Sequence, residues 1–388
     1  MHVCHVITRL IIGGAQENTL LTCAGLHERG LRVTLIAGPT DGPEGSLVGQ
    51  ALACGYEYIE VPELIRAVNP WYDARAYRQM RMHFERLRPD IVHTHSSKAG
   101  ILGRFAARDA RVPLITHTIH GMSFNRTQSR FVRALYALLE RRASRCTHRI
   151  YAVADAMVEQ TAAARICRRE KLLTVYSGMD VGRFTPNPAQ RAEVRRQWGV
   201  SENDVVVGTV ARLFRRKGYE QLLPIMALAA ARNPHLRFVW VGDGAQRVKY
   251  ERDLAARGLA SRTVLAGLVT PDQIPALLDG FDILAHTSQW EGLPRVVVQA
   301  LLMRVPAVAF EIDGTPEVVL SGRTGELVVL GDEMGFAAAI CDLATNAERR
   351  AAFGAAGREL CLSRFDARRM VEILEQDYER LLAMSAKA

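Results

Sequence analysis

The chain has 388 residues, long for a single hydrophobic core, so two domains are expected. Apolar residues make up 48% and charged residues 23%, which excludes a disordered or fibrous chain. The net charge of +9 implies an anionic partner: a sugar nucleotide, an acidic membrane surface or nucleic acid. The last is disfavoured, because no helix-turn-helix, zinc-knuckle or ribonucleoprotein motif occurs and aromatics are only 7%.

No uncharged apolar run reaches the roughly 18 residues that a membrane span needs. The opening "MHVCHVITRLIIGG" contains Arg9 and no long apolar region, which argues against a signal peptide. The 7 cysteines are scattered without a Cys-x-x-Cys pair and read as reduced cytosolic thiols.

In chain order, strands are expected at 2–7, 32–37, 90–94, 113–117 and 150–153, alternating with helical patterns as in βαβ units with a parallel sheet. From about 181, "VGRFTPNPAQ" reads as a linker. A second series follows at 205–210, 236–241, 263–267, 282–286 and 305–310. The halves echo each other: "TRLIIGGAQE" (8–17) and "ARLFRRKGYE" (211–220) both follow a first strand with Arg-Leu, a loop, Gly and a helix. Two similar α/β units facing each other across a cleft is the simplest account. Coincidence between two common strand–loop–helix patterns is the alternative.

"VARLFRRKGYEQLL" (210–223) sends a strand into a loop with Arg212, Arg215, Arg216 and Lys217 before Gly218 opens a helix. Guanidinium groups grip phosphate oxygens in pairs, Lys adds a point charge, and a helix start favours an anion. A solvated basic loop is the bland alternative. "LIIGGAQE" places Gly13 and Gly14 at the first strand-to-helix turn, where backbone can approach a ligand, although such turns are often structural. Neither a dinucleotide fingerprint nor a P-loop is present.

"VHTHSSKAG" and "THTIHGM" bring His93, His95, His117 and His120 to strand ends. A metal is disfavoured, because no nearby carboxylate completes a ligand set; satisfied hydrogen bonds suit His93 and His117, and a substrate-facing place suits His120-Gly121. In "WEGLPRVVVQ" (290–299), Gly292 allows a tight turn and Pro294 suits a first helical turn. Glu291 stands there as a hydroxyl acceptor or merely as a helix cap. Gln299 falls about two turns into an apolar helix expected to be buried, costly there unless paired. Asp313-Gly314-Thr315 reads as another helix start.

The ordered set resembles the retaining glycosyltransferases of family 4, which have the GT-B fold. It comprises the Gly-Gly loop, "VHTHSSKAG", "HTIHG", "YSGMD", "VARLFRRKG", "VGDG", "HTSQWEGLPRVVVQA" and "DGTPEVVLSGRTGELV", and covers nearly the whole chain. The resemblance implies two Rossmann-like domains: residues 1–185, completed by a C-terminal helix at about 366–388, for the acceptor, and 186–365 for the donor. It matches Arg212 and Lys217 to a diphosphate-binding pair and Glu291 to the first Glu of a Glu-x7-Glu motif that contacts donor hydroxyls. Gly292, Leu293, Pro294, Arg295 and Val296 supply backbone there. His120 matches a histidine near the reacting sugar, Gly13 and Gly14 a loop near the diphosphate, Val269 a backbone contact with the base, and Gly242 the donor site. His95 and Lys98 fall on the acceptor side. The second Glu, a ribose ligand, is replaced by Gln299, which gives up a charge-assisted bond.

These matches imply a retaining transfer of a sugar, of hexosyl type, from a nucleoside diphosphate sugar to an acceptor hydroxyl. No cofactor or metal is required, which fits the absence of Asp-x-Asp. The Gly-Gly and "EGLPRV" variants resemble members that build bacterial cell-surface glycans. The alternatives are a GT-B epimerase or a non-catalytic nucleotide-sugar-binding protein, motivated by Gln299. The stretch 125–149 carries Arg126, Arg130, Arg133, Arg141, Arg142, Arg145 and Arg149 against the lone acid Glu140, with a Phe131, Leu135, Leu138 and Leu139 stripe. Such a helix either lies on an anionic bilayer, at the inner face of the cytoplasmic membrane beside a glycan or lipid-linked acceptor, or packs on its own domain.

Overall fold

The computed structural model describes residues 1–40, 42, 44–124, 128–215 and 217–385. The chain divides into two compact units, Met1–Met179 with Ala367–Ala388, and Asp180–Asp366.

The first unit holds a sheet of β1 (His2–Ile7), β2 (Arg32–Ala37), β3 (Glu57–Glu60), β4 (Ile91–His95), β5 (Leu114–Ile119), β6 (Arg149–Ala152) and β7 (Leu172–Thr174). All pairings are parallel, in the order β3-β2-β1-β4-β5-β6-β7. The central strands β1 and β4 are buried from end to end, as in a sheet covered on both faces, and they carry histidines and a threonine among their apolar residues. One face (Val3, Leu35, Ile91, Leu114, Tyr151) packs with Leu20, Cys23 and Leu26 of the helix Gly14–Glu28 and with Met370, Val371, Leu374 and Tyr378 of the helix Ala367–Ser385. The other (Cys4, Val6, Ile36, Val92, Ile115) packs on the helices Pro70–Leu87 and Ser97–Asp109.

The second unit holds β8 (Val205–Val210), β9 (Leu236–Val241), β10 (Thr263–Gly267), β11 (Ile283–His286), β12 (Ala307–Phe310) and β13 (Gly325–Val328), in the order β10-β9-β8-β11-β12-β13. Its pairings are also parallel. Trp240, Tyr219 and Tyr250 cluster in its core, with the Tyr219 ring edge-on to Trp240 at 4.7 Å and tilted against Tyr250 at 5.2 Å. This is the strand order of the first unit without a counterpart of β7. The echoed "ARLFRRKGYE" segment follows β8 as "TRLIIGGAQE" follows β1, so the sequence similarity has a topological basis. In each sheet the order reverses beside the first strand, at β1/β4 and at β8/β11. Loops at such reversal points part to opposite faces and leave a crevice at the strand carboxyl ends.

The linker reading changes at 181–190. Asn187 accepts from the Ala189 and Gln190 N–H groups at 3.1 and 3.2 Å and starts a helix, Pro188–Gln197, with Pro188 at its first position. The second proline therefore begins a helix rather than extending a loop.

Candidate active site

In the second unit the loop after β8 meets the loop after β11. Gly218 has φ 88°, and a Cβ there would lie 1.9 Å from the Thr287 carbonyl oxygen; the Thr287 hydroxyl donates back to the Gly218 carbonyl at 2.9 Å. Only glycine fits this crossing. Gly242, at the end of β9 with φ 133°, is pressed on the Ala211 carbonyl, 2.1 Å from its would-be Cβ. Its N–H donates to Gly267 at 2.8 Å. Val269 sits two residues beyond, half-buried, at the same end of the sheet.

These crossings bring Lys217 Nζ to 3.4 Å from Glu291 Oε1. The Phe214 and Lys217 N–H groups donate to the Arg212 and Phe214 carbonyls at 2.8 and 3.3 Å, a tight loop that places Arg212 and Lys217 together. The Arg212 guanidinium lies over the Phe214 ring at 5.3 Å. Arg215 is exposed, and Arg216 lies outside the described residues.

Burial pushes the Glu291 carboxyl up. The Lys217 ammonium, the His286 ring and hydrogen bonds from Ser288 and Lys217 outweigh it, so the group is held below its ordinary range and stays anionic. His286, with Nε2 at 3.6 Å from Glu291, is itself held below its ordinary value, chiefly by burial, against the pull of the Glu291 carboxylate.

Glu291 does not cap the helix behind it. Its own N–H donates to Asp313 Oδ2 at 2.7 Å, and the Gly314 N–H donates to the Gly292 carbonyl at 3.2 Å. Asp313 adopts φ 42°, a left-handed conformation. The helix start expected at Asp313-Gly314-Thr315 is a short 3-10 helix, Thr315–Glu317, with Gly314 as its cap, and Asp313 just before it braces the Glu291 loop.

The helix Arg295–Leu302 follows, with Pro294 one position outside it as cap; the Pro294 carbonyl accepts from Val297 at 3.0 Å. Gly292, Leu293 and Pro294 are buried, Arg295 and Val296 half-buried, and the Val296 N–H has no backbone acceptor among the described residues. Gln299 is half-buried rather than buried, so its amide does not carry the full cost of desolvation.

In the first unit the register aligns a row of histidines. His5 pairs with His93, and His95 with Thr118, which puts His5, His93, His95 and Thr118 on one face; His120 continues it past β5. His5 Nδ1 lies 3.0 Å from His95 Nε2, and His95 Nδ1 lies 2.9 Å from His120 Nε2. His93 is held by Thr118 Oγ1 at 2.7 Å and by Tyr378, and His117 by Thr94 Oγ1 at 2.9 Å from the opposite face. One ring nitrogen from each of His5, His93 and His95 lies within 4.8 Å of the others, close enough for a metal. Both nitrogens of His93 already have hydroxyl partners, so a metal would have to break them.

This corrects two placements. His95 is 1% exposed and bonded through both nitrogens, so it cannot touch an acceptor. Lys98 is committed to Asp73 and to the Ala67 carbonyl, where it fastens the start of the helix Pro70–Leu87. His5 was missed in the sequence because a single histidine inside a strand has no spacing motif. Its alignment with His93 appears only when β1 and β4 pair.

His120 lines a small pocket with Ser96, Ser97, Gly121, Ser123 and Glu140. Glu140 is buried against Arg104 at 2.6 Å and accepts from Ser123 at 3.0 Å. Beside it, Thr8 and Ser96 hydroxyls meet at 2.7 Å across the β1/β4 reversal, and Ser96 adopts φ 61°. Gly13 is extended, φ 179°, and caps the helix that Gly14 begins. No positive φ demands Gly13; its role there is the absence of a side chain.

Residues 190–360 match the family model for glycosyl transferases group 1, and residues 13–178 match the glycosyl transferase 4-like domain. The chain belongs to the group 1 glycosyltransferases. This glycosyltransferase is 28% identical over 347 residues to the UDP-Gal:alpha-D-GlcNAc-diphosphoundecaprenol alpha-1,3-galactosyltransferase of Escherichia coli, covering 85% of this chain and 84% of the relative. It is 29% identical over 319 residues to the GDP-mannose-dependent alpha-(1-6)-phosphatidylinositol monomannoside mannosyltransferase of Mycobacterium tuberculosis, 80% of each chain. Its fold matches Anabaena Alr3699/HepE, solved in complex with UDP and glucose, with a TM-score of 0.85 at 21% identity over 98% of this chain and 100% of that one. The glycosyltransferase therefore has the GT-B fold, two units of parallel sheet flanked by helices.

Proposed function

We propose that this glycosyltransferase moves a hexosyl group from a nucleoside diphosphate sugar to an acceptor hydroxyl with retention of anomeric configuration, in the assembly of a bacterial cell-surface glycan. The observation that carries the reading is the Lys217–Glu291 pair at 3.4 Å, at the β8/β11 reversal. An ammonium there can leave its carboxylate for a phosphate oxygen, and the released carboxylate can accept hydrogen bonds from sugar hydroxyls. The leaving group is a diphosphate, so the chief need is stabilisation of charge as the glycosidic bond breaks. Arg212, Lys217 and the amide of Val296 are suited to it, without a metal. Gly242, Val269 and Gln299 border the nucleotide, Gln299 as a neutral ribose contact. His120 touches the sugar. The donor belongs to the second unit, and the acceptor to the first.

The relatives act on UDP-galactose with a diphosphoundecaprenol acceptor and on GDP-mannose with a phosphatidylinositol mannoside, which favours a lipid-linked acceptor. The helix Arg130–Ser144 supports a place on the inner face of an anionic membrane. Phe131 is 89% and Leu135 55% exposed, with Leu138 on the same face; Arg142 and Arg145 are exposed along that face, and Arg130 and Arg133 are exposed elsewhere on the helix. Arg141 and Arg149 are tied to the unit itself, by the Ala164 carbonyl at 2.8 Å and by Asp377 at 3.1 Å; Arg126 lies outside the described residues. No helix among the described residues is long and apolar enough to cross a membrane.

The test is a thermal-shift screen of UDP-, GDP- and ADP-sugars, then transfer from the stabilising donor to prenyl-diphosphate-linked acceptors, with and without EDTA. Acceptor-dependent transfer unaffected by EDTA is expected. Release of free sugar and nucleotide without any acceptor would instead identify an epimerase-type activity, and near wild-type turnover in both Arg212→Ala and Lys217→Ala would overturn the site.

A further inference from the structure

We infer that His5 and His95 form a directed imidazole chain that fixes the proton of His120 on Nδ1, so that His120 meets the sugar as a hydrogen-bond donor. The inference rests on the reading that His120 touches the substrate. Three rings are joined by two bonds, His5 Nδ1 to His95 Nε2 at 3.0 Å and His95 Nδ1 to His120 Nε2 at 2.9 Å. Each bond between neutral rings needs one N–H and one lone pair, so the chain can point only two ways.

The closed end decides between them. His5 is fully buried in β1, and its Nε2 has no hydrogen-bond partner among the described residues. If the chain pointed toward His5, that nitrogen would carry a buried N–H with no acceptor. If it points toward His120, His5 donates from Nδ1 and only a lone pair is left unmatched at Nε2. Folded proteins leave buried acceptors short more readily than buried N–H donors. The chain therefore runs from His5 through His95, and His120 accepts at Nε2 and is protonated at Nδ1. Burial keeps the inner rings neutral, which the argument requires: His5 is depressed to about 3, and His95 lies well below its ordinary range.

The register supplies rigidity. His5 is on β1, His95 ends β4 and His120 follows β5, three adjacent strands of one sheet, and the His95 ring stacks at 4.5 Å on His93, itself anchored to Thr118 and Tyr378. A donor at Nδ1 selects an oxygen lone pair on the substrate. It cannot remove a proton from the acceptor hydroxyl, so His5 and His95 act as positioning residues for a contact, not as a relay to a base.

The test is 15N-histidine NMR of the full chain, with His120 assigned by comparison with His120→Asn. The expected wild-type spectrum shows neutral His120 protonated at Nδ1. In His95→Leu and His5→Leu the proton is expected to move to Nε2, and kcat to fall about tenfold, the value of one well-made hydrogen bond, with donor KM little changed. His5→Gln, whose amide can donate to His95, is expected to restore the Nδ1 form and part of the activity. A wild-type His120 protonated at Nε2, or a tautomer unmoved in both leucine variants, would overturn the inference. Were a leucine variant not to fold, the wild-type spectrum alone decides. Should the wild-type protein turn over no nucleotide sugar, the proposed function fails, while the tautomer still tests the chain.

Discussion

Lys217 Nζ lies 3.4 Å from Glu291 Oε1, although the two residues are 74 positions apart on loops following different strands. The pair is half-open to solvent, with side chains 30% and 18% exposed, so it contributes little to folding. Its meaning is chemical: a cation and an anion held ready for a ligand bearing both phosphate and hydroxyl groups. Lys217→Ala is expected to lower turnover by about 10²–10³-fold, as for loss of one preorganised donor, with thermal stability nearly unchanged. The same change leaves burial of Glu291 less opposed, so its carboxyl rises and the acid limb of the pH–rate profile moves to higher pH. An unchanged profile would show that Lys217 does not govern Glu291.

The crossing that makes this pair possible depends on Gly218. At φ 88°, with a Cβ 1.9 Å from the Thr287 carbonyl, alanine is both strained and blocked. Gly258 has φ 67° and open space around its would-be Cβ. Gly258→Ala is expected to cost only the left-handed penalty, about 1 kcal/mol, and to leave turnover intact. Gly218→Ala is expected to cost at least about 2 kcal/mol in denaturant unfolding and to abolish turnover by pushing the two loops apart. Equal effects from the two variants would remove the argument for close approach.

Gln299 separates affinity from chemistry. If it contacts ribose as a neutral amide, Gln299→Glu supplies a charge-assisted acceptor, roughly twice as strong as a neutral one. Donor KM is expected to fall severalfold while kcat stays close to wild type, since the contact is distant from the bond that breaks. Half-burial makes the new charge tolerable. A rise in KM would show that the amide donates a hydrogen bond that a carboxylate cannot replace.

The strands that carry the motifs were legible in the sequence because β-branched and apolar residues dominate most of them and each ends in a turn or a helical pattern. β3, β7 and β13 were not anticipated. "EYIE" and "LLT" are short edge strands, exposed or half-buried except for Leu172, and too short for a continuous apolar run. The loops with Arg212, Lys217 and Glu291 were visible as charged breaks after strands, and pairing of those strands brings Lys217 to Glu291. What stayed hidden depends on register and on distant partners. Asp313 as the acceptor for the Glu291 N–H, Asp73 as the partner of Lys98, and His5 opposite His93 are set by which strands and helices lie side by side, and no local spacing encodes them.

The helix Arg130–Ser144 offers a test independent of turnover. Phe131 and Leu135 are exposed, and among the described residues Arg130, Arg133, Arg142 and Arg145 make no ion pair of the kind that holds Arg149. Phe131→Ser with Leu135→Ser is expected to weaken co-sedimentation with phosphatidylglycerol-containing vesicles at least tenfold, while leaving folding and turnover of a soluble acceptor analogue unchanged. Raising salt is expected to weaken wild-type binding as well, since each exposed arginine adds about 1 kcal/mol near an anionic surface. Absence of wild-type binding at low salt would exclude the membrane contact.

The buried histidines tie stability to pH with a definite sign. His5, His93, His95 and His117 are all held below their ordinary value of 6.5, chiefly by burial. In the unfolded chain they take up protons near that value, whereas in the folded protein they remain neutral to much lower pH. The unfolded state thus binds more protons across this interval, and stability rises with pH through it. It is fully present above the ordinary histidine range and is lost as pH falls toward the folded values, about 3 for His5. Each ring contributes a slope approaching about 1.4 kcal/mol per pH unit once its unfolded form is protonated. The thermal midpoint is therefore expected to fall steeply between roughly pH 6.5 and 4.5, and His5→Gln is expected to flatten the fall by close to one proton. A midpoint that stays level over this interval would mean that these rings take up protons in the folded state, and the neutral chain from His5 to His120 could not stand.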